Sequence, residues 1–430
     1  MRLAAALALL IASLPVTKVY ADAPSLLVHE WGTFTSFQDS RGTTIPGINV
    51  DDELVPEFVH RLAEVPVFTT RSPPASWSQG APKCHPDVTM RLETPVLYFY
   101  PKQAFLAKQS IDVRATFVGG WLTEYFPTAV VESSGFPKSL NSASAGSLQW
   151  NGLRLHSNVS DQLPQTTAKV WLAPRAVQSA VVTSIGSQES EKYLFYRGVG
   201  NVDAPLVVRE QSNTLTISLR DGQDRLESLP PLWIVRVLPD GRVAYRSVRS
   251  SEGRTVTVSI PGDDAAGLNR LDSLRTELAA ALVSQGLFED EAQAMLATWQ
   301  LSYFESEGLR LFFVLPATWT DAHLPLTISP LAETTRVMLG RIELVSAYQR
   351  TMLGKLLRLS DSALDLTPLY VESRTVSSLM LEGGKSHSEL YWAVGRDVPE
   401  ALRYYEALGR FRDALLAHES RSTLDLATKG

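Results

Sequence analysis

The sequence predicts a mainly β fold with α additions: an antiparallel β-sandwich-like body, an inserted αα-hairpin and C-terminal helices. Three observations carry that reading. Between Val88 and about Pro261, apolar residues alternate with polar ones in short runs bounded by turn residues, as half-buried antiparallel strands require. From Gly267 to Phe304 the apolar spacing changes to three and four, the period of a helix face. Beyond Val345 the spacing is helical again. The composition agrees, with 44% apolar and 20% charged residues in 430, which excludes a disordered or collagen-like chain.

Residues 1–21 (MRLAAALALLIASLPVTKVYA) read as a secretory signal peptide. A basic start precedes the apolar stretch Leu3 to Leu14, Pro15 breaks the helix, and Val19-Tyr20-Ala21 offers small residues before the cut. The run is too short to span a membrane, and no later run reaches about 18 apolar residues, so no membrane insertion is expected after cleavage. Losing Arg2 and Lys18 changes 40 basic against 46 acidic residues, net −6, into 38 against 46, net −8. Such an acidic chain is repelled by nucleic acid, which is not an expected partner. The expected location is periplasmic or secreted. With Cys84 as its one cysteine, the chain has no internal disulfide to brace it.

Residues 22–87 read as an irregular segment packing on the body, with a strand at Val28–Phe37 and loop chemistry from Thr69 to Pro86. Residues 88–262 form the sandwich-like domain. Ile111, Val113, Ala115 and Phe117 alternate with polar residues, as do Leu215, Ile217 and Leu219. Leu232–Leu238 and Arg242–Val248 flank Pro239-Asp240-Gly241, a hairpin. Residues 263–345 hold the helix pair and returning strands. Leu271, Leu274, Leu278 and Leu282 lie on one helix that Gly286 stops, and Ala292, Met295, Leu296 and Trp299 lie on the next. Residues 346–430 form a helical segment, with helices at about 347–359 and 399–418.

Glu93-Thr94-Pro95-Val96-Leu97-Tyr98-Phe99-Tyr100-Pro101 resembles the KPVIYLYP strand of a group of bacterial proteins of unknown function. An alternating strand (Ile111–Phe117), a Trp/Tyr-Pro segment (Trp121–Pro127) and Lys192-Tyr193-Leu194-Phe195-Tyr196-Arg197 follow in the order of that group. Gly286-Leu287, Glu291-Ala292 and Trp299 resemble its GL-x-x-x-EA helix pair, and Thr335-Arg336-Val337 also has a counterpart there. His29-Glu30-Trp31-Gly32-Thr33-Phe34-Thr35 resembles a set of exported bacterial proteins opening on HEWGTFT. The similarity runs roughly from Val28 to Val345 and implies export and a β-rich body, with no activity attached. Thr94 stands where the wider group carries Lys, so any role of that lysine does not transfer.

Chemistry-bearing residues are concentrated near the start. His29, His60 and His85 fall within the first 90 residues, close to Glu30, Cys84 and the acidic run Asp51-Asp52-Glu53. A transition-metal site needs three or four such ligands converging. His29-Glu30 does not open an HExxH motif, because Thr33 stands where the second histidine belongs. No metal is assigned; His29 and His60 are the candidates a site would use. The acidic run lacks calcium-loop spacing, and Gly383-Gly384-Lys385-Ser386 lacks the first glycine of a phosphate loop, Leu379 standing there. No G-x-S-x-G elbow occurs. Trp77, in a Ser/Pro-rich loop, is the candidate exposed aromatic.

With no complete catalytic motif, the first expectation is an exported binding or envelope-associated protein. Its partner would be an envelope component, a protein or a small molecule, and no cofactor is named. The alternative is a metal-dependent or carboxylate-based extracytoplasmic hydrolase with its site near the N-terminal segment. His29, Glu30 and His60 are the candidate binding residues, as ligands or acid/base groups.

Overall fold

The computed structural model describes residues 26–50, 53–62, 77–102, 110–157, 163–222, 226–249, 253–263, 266–353, 407–416 and 418. The first strands are β1 (Leu26–Asp39), β2 (His60–Arg61), β3 (Trp77–Ser78), β4 (Ala81–Pro82), β5 (Met90–Pro101), β6 (Ile111–Val118), β7 (Gly120–Phe126), β8 (Val130–Ser133) and β9 (Ala145–His156). After helix α1 (Lys169–Arg175) come β10 (Val181–Ser184), β11 (Ser190–Glu191), β12 (Leu194–Gly200), β13 (Leu206–Gln211), β14 (Thr214–Leu219), β15 (Leu232–Val237), β16 (Val243–Val248) and β17 (Thr255–Ser259). Helices α2 (Leu268–Ser284) and α3 (Glu289–Thr298) precede a π-helical turn at Leu301–Glu305, β18 (Gly308–Val314), α4 (Ala317–His323), β19 (Leu326–Ser329) and β20 (Glu333–Val345).

A nine-stranded sheet in the order β16-β15-β18-β20-β1-β5-β12-β7-β2 forms the middle layer. A six-stranded sheet, β11-β10-β9-β6-β19 with β8 beside β9, and the three-stranded β13-β14-β17 cover one of its faces. Val28, Leu97, Phe117, Trp150 and Ile217 meet in that sandwich core. Helices α1, α2 and α3 cover the opposite face, where Trp31, Tyr98, Trp171, Leu278, Met295 and Phe312 form a second core, while α4 packs into the sandwich core through Trp319. A third cluster closes one end, bringing Phe37, Val88, Trp121 and Val345 against Phe411 of the C-terminal helix.

Burial follows this layering. Outer strand β6 has one wet face and alternates buried with exposed residues. Central strands β7 and β12 are buried at every position, because sheet lies on one side of them and helix on the other. The β15–β16 hairpin forms as the Pro239-Asp240-Gly241 turn predicts. Helix α2 ends at Gly286, whose φ of +108° suits glycine.

The mainly β class with helical additions is therefore the observed one, with particulars the pattern did not carry. The segment expected to pack on the body supplies β1, which lies inside the main sheet between β5 and β20. It pairs in parallel with β20, whereas the other strand pairs are antiparallel. The short helices α1 and α4 were not expected. Helix is seen at 347–353 and 411–416 within the expected C-terminal helices. Residues 1–21, Asp51, Asp52 and Gly383–Ser386 lie outside the described residues.

Candidate functional site

The structure takes His29, Glu30 and His60 to three different places. His29 and Glu30 are consecutive on β1, and side chains alternate across a strand, so they leave opposite faces of the sheet. His29 points to the helices, where its Nδ1 lies 2.7 Å from Glu291 Oε2. Glu291 is fully buried and also accepts from Tyr100 Oη and from the Phe288 backbone N–H, each at 2.7 Å. Burial and then the Glu291 charge push the Tyr100 phenol well above its ordinary value, so it stays a donor. Glu30 points into the sandwich, accepting from Tyr196 Oη and from Arg336 Nε at 2.7 Å. Arg336 also donates to Asp321 at 2.8 Å and to the Leu324 carbonyl at 2.6 Å.

His60 sits on β2, the outermost strand beyond β7. Its Nε2 faces both Glu189 Oε1 at 2.7 Å and Thr128 Oγ1 at 3.0 Å. A catalytic base presents different ring nitrogens to its nucleophile and its acid, so this trio does not activate Thr128. Among the described residues no group of three or more His, Cys, Asp or Glu is placed to hold a metal ion. The three candidates thus tie layers together and do not converge on one point. Trp77 is half-buried against Phe136, with ring centroids 5.8 Å apart.

Sequence reading missed the polar band on the helix side of the main sheet. Arg310, Arg341 and Glu343 stand on strands whose next residues, Leu311, Ile342 and Leu344, belong to the sandwich core, so the charged groups face the helices. The same parity turns Arg91, Glu93, Arg197 and Glu124 that way. Strand register aligns the band: Arg310 lies opposite Glu343, Thr35 opposite both Arg341 and Arg91, and Arg197 opposite Glu124.

The charges group into Arg–Glu–Arg triads. Glu93 lies 3.2 Å from Arg91 and 3.2 Å from Arg410. Glu124 lies 3.4 Å from Arg61 and 3.6 Å from Arg197. Glu343 lies 3.2 Å from Arg310 and 2.7 Å from Arg341. These arginines also hold the covering loops. Arg91 donates to the Val50 carbonyl at 2.6 Å, and Arg310 donates to those of Ser302, Tyr303 and Ser306 at 2.9, 2.8 and 2.7 Å. The signal that could have found the band is a lone charge in an apolar strand, as in Leu194-Phe195-Tyr196-Arg197 and Met338-Leu339-Gly340-Arg341-Ile342.

One end of the band adjoins an open cleft of about 510 Å³, a volume typical of small-ligand sites. Loops of the nine-stranded and three-stranded sheets line it: Ser212 and Asn213, the Arg236–Arg242 hairpin, Asp263, Glu307–Leu309, and Ser346 with Gln349. Its cations are already paired, Arg236 with Asp263 at 2.8 Å and Arg242 with Asp240 at 2.6 Å. Glu210 accepts from the Ala347 N–H at 3.3 Å, and burial raises its carboxyl above the ordinary range. Gly308 lies between the cleft and the third triad. A Cβ there would come within 2.7 Å of Glu343 Oε1 and 2.8 Å of Arg310 Nη2, so only glycine leaves that pair undisturbed.

No protein-family model and no curated protein matches the chain. Among solved structures, the Danio rerio Fcho1 mu homology domain with bound Eps15 peptide aligns with a TM-score of 0.30 and 8% identity. That alignment covers 75% of this chain and 96% of that one. The yeast delta-COP-I mu-homology domain aligns with a TM-score of 0.24 and 7% identity, over the same shares of each chain. Likeness at this level assigns neither fold nor function.

Proposed function

We propose that this chain is an exported binding protein that loses residues 1–21 and takes a small polar ligand in the cleft between the hairpin loops. The cleft itself carries the reading. Loops set on a rigid sheet are where binding groups gather, and this cleft combines a ligand-sized volume with acceptors of several kinds. Both of its arginines are occupied by aspartates, so its remaining side chains favour a ligand rich in hydroxyl or amine donors. An envelope component presenting such groups fits it. Hydrolysis is the poorer reading, since His29, Glu30 and His60 are each engaged in a separate structural cluster.

Export is tested by N-terminal sequencing of the protein recovered from the cells that make it. A chain starting at Asp22 is expected, and one that keeps Met1 would overturn export. Binding is tested by thermal shift with a panel of monosaccharides, amino sugars and amino acids. Any compound that raises the melting temperature should lose at least about tenfold in affinity on Asn213→Leu or Gln349→Leu, the scale of one lost ligand contact or about 1.4 kcal/mol. Unchanged binding in both variants would remove the cleft as the site.

A further inference from the structure

A separate observation concerns the middle of the polar band, away from the cleft. Trp31, Thr33 and Thr35 follow one another on the helix side of β1. Across the strands Thr35 is flanked by Arg341 and Arg91, and Thr33 by Glu93. Over them lie Tyr303, which hydrogen-bonds Thr33, and Phe411 of the C-terminal helix. The Arg341 guanidinium is 5.7 Å from the Tyr303 ring and 5.4 Å from the Phe411 ring.

The buried polar atoms without a hydrogen-bond partner among the described residues include Trp31 Nε1, Trp299 Nε1, Arg341 Nη1 and Thr35 Oγ1. The two indoles and the guanidinium can only donate. Buried donors are nearly always satisfied, and one left bare costs about 1–3 kcal/mol. The Glu93 carboxylate on the same face is already held between Arg91 and Arg410, so these donors call for a further acceptor. The charge of the face points the same way, since each glutamate of the triads lies between two guanidiniums, in an interior where opposite charges attract more strongly than in water. Burial pushes the Arg310 guanidinium down to about 10 against the pull of Glu343, with Arg341 and Arg410 adding smaller contributions in the same direction as burial.

We infer that this face holds an oxyanion, the carboxylate or phosphate of a small molecule, seated against Thr35 Oγ1 and Arg341 Nη1 beneath Phe411. A planar guanidinium and a hydroxyl match the several acceptor oxygens of such a group. The seat is distinct from the cleft, and the two readings stand or fall separately.

The test uses the full chain in chloride-based buffer, titrated calorimetrically and melted with inorganic phosphate, with succinate, and with extra chloride at matched ionic strength. Saturable binding of phosphate alone assigns a phosphate group, of succinate alone a carboxylate, and of both a site for either. No saturable binding, or a shift equal to that of chloride, overturns the inference. Thr35→Val is the deciding variant, because its hydroxyl has no partner to lose in the free protein. It should melt at or above the temperature of the parent while anion affinity falls at least about fivefold, the weight of roughly one hydrogen bond. Parent-like affinity would overturn the seat. Arg341→Gln should lose more affinity, and Asn213→Leu in the cleft none; a loss on Asn213→Leu would move the anion to the cleft and overturn the inference.

Discussion

At Glu189, burial favours the neutral carboxyl, but the His60 ring, the N–H and hydroxyl of Thr128 and the Ser187 hydroxyl outweigh it and hold the group at about 2. Asp39 is lowered in the same manner, burial being overcome by the N–H groups of Thr43 and Arg41 and by the charges of Arg41 and Arg350. A carboxyl with a lower pKa in the folded chain contributes stability that is complete above the unfolded value and vanishes as pH falls through the folded one. For Glu189 that window runs from 4.5 down to about 2. The melting temperature should fall across it, and Glu189→Gln should lower stability at neutral pH while flattening that limb. Thermal melts at half-unit pH steps check this; an acid limb identical in parent and variant would show that the stability resides elsewhere.

Between elements, the sandwich depends on glycines where the sheets approach most closely. Phe117 of outer strand β6 lies over the backbone of Gly120 and Gly200 on central strands β7 and β12. A Cβ on Gly120 would come within 2.2 Å of the Phe117 ring, and one on Gly200 within 2.6 Å. Gly120→Ala should therefore cost about 1–3 kcal/mol by urea unfolding, the range for overpacking a core. Adding Phe117→Leu should recover part of that loss relative to the sum of the single changes, since the two side chains compete for one space. Strict additivity would mean the ring is not what the new methyl meets. The alternation of β6 is legible in the sequence because one of its faces is wet, and so is the β15–β16 turn. β5 and β20 lose that period, since helices and sheets cover both sides of them. His29 and Glu30 stand out in the sequence, yet their partners Glu291 and Arg336 lie 262 and 306 residues away, where no local pattern reaches. Parity alone separates the two residues, and once β1 is read as a strand that much is legible.

The whole molecule is organised by the main sheet, which takes strands from each of the three stretches between residues 22 and 345 that patterning divides. β1 and β2 come from residues 22–87, β5, β7, β12, β15 and β16 from residues 88–262, and β18 and β20 from residues 263–345. In the sheet order, β18, β20 and β1 stand between β15 and β5. A fragment of residues 88–262 would thus hold two separated parts of one sheet, with the edges of β5 and β15 exposed and the face that α2 and α3 cover laid bare. The helical layer is no more independent, because Leu278, Met295 and Trp299 pack on Trp31, Phe312 and Val337 from three different strands. We expect the full chain to unfold in one cooperative step, with calorimetric and van't Hoff enthalpies equal, although chains above about 150 residues often do not. The 88–262 fragment should lack near-ultraviolet dichroism and dispersed amide resonances. A calorimetric trace with two separable peaks, or a folded fragment, would show that the sandwich is stable without the strands that join its halves.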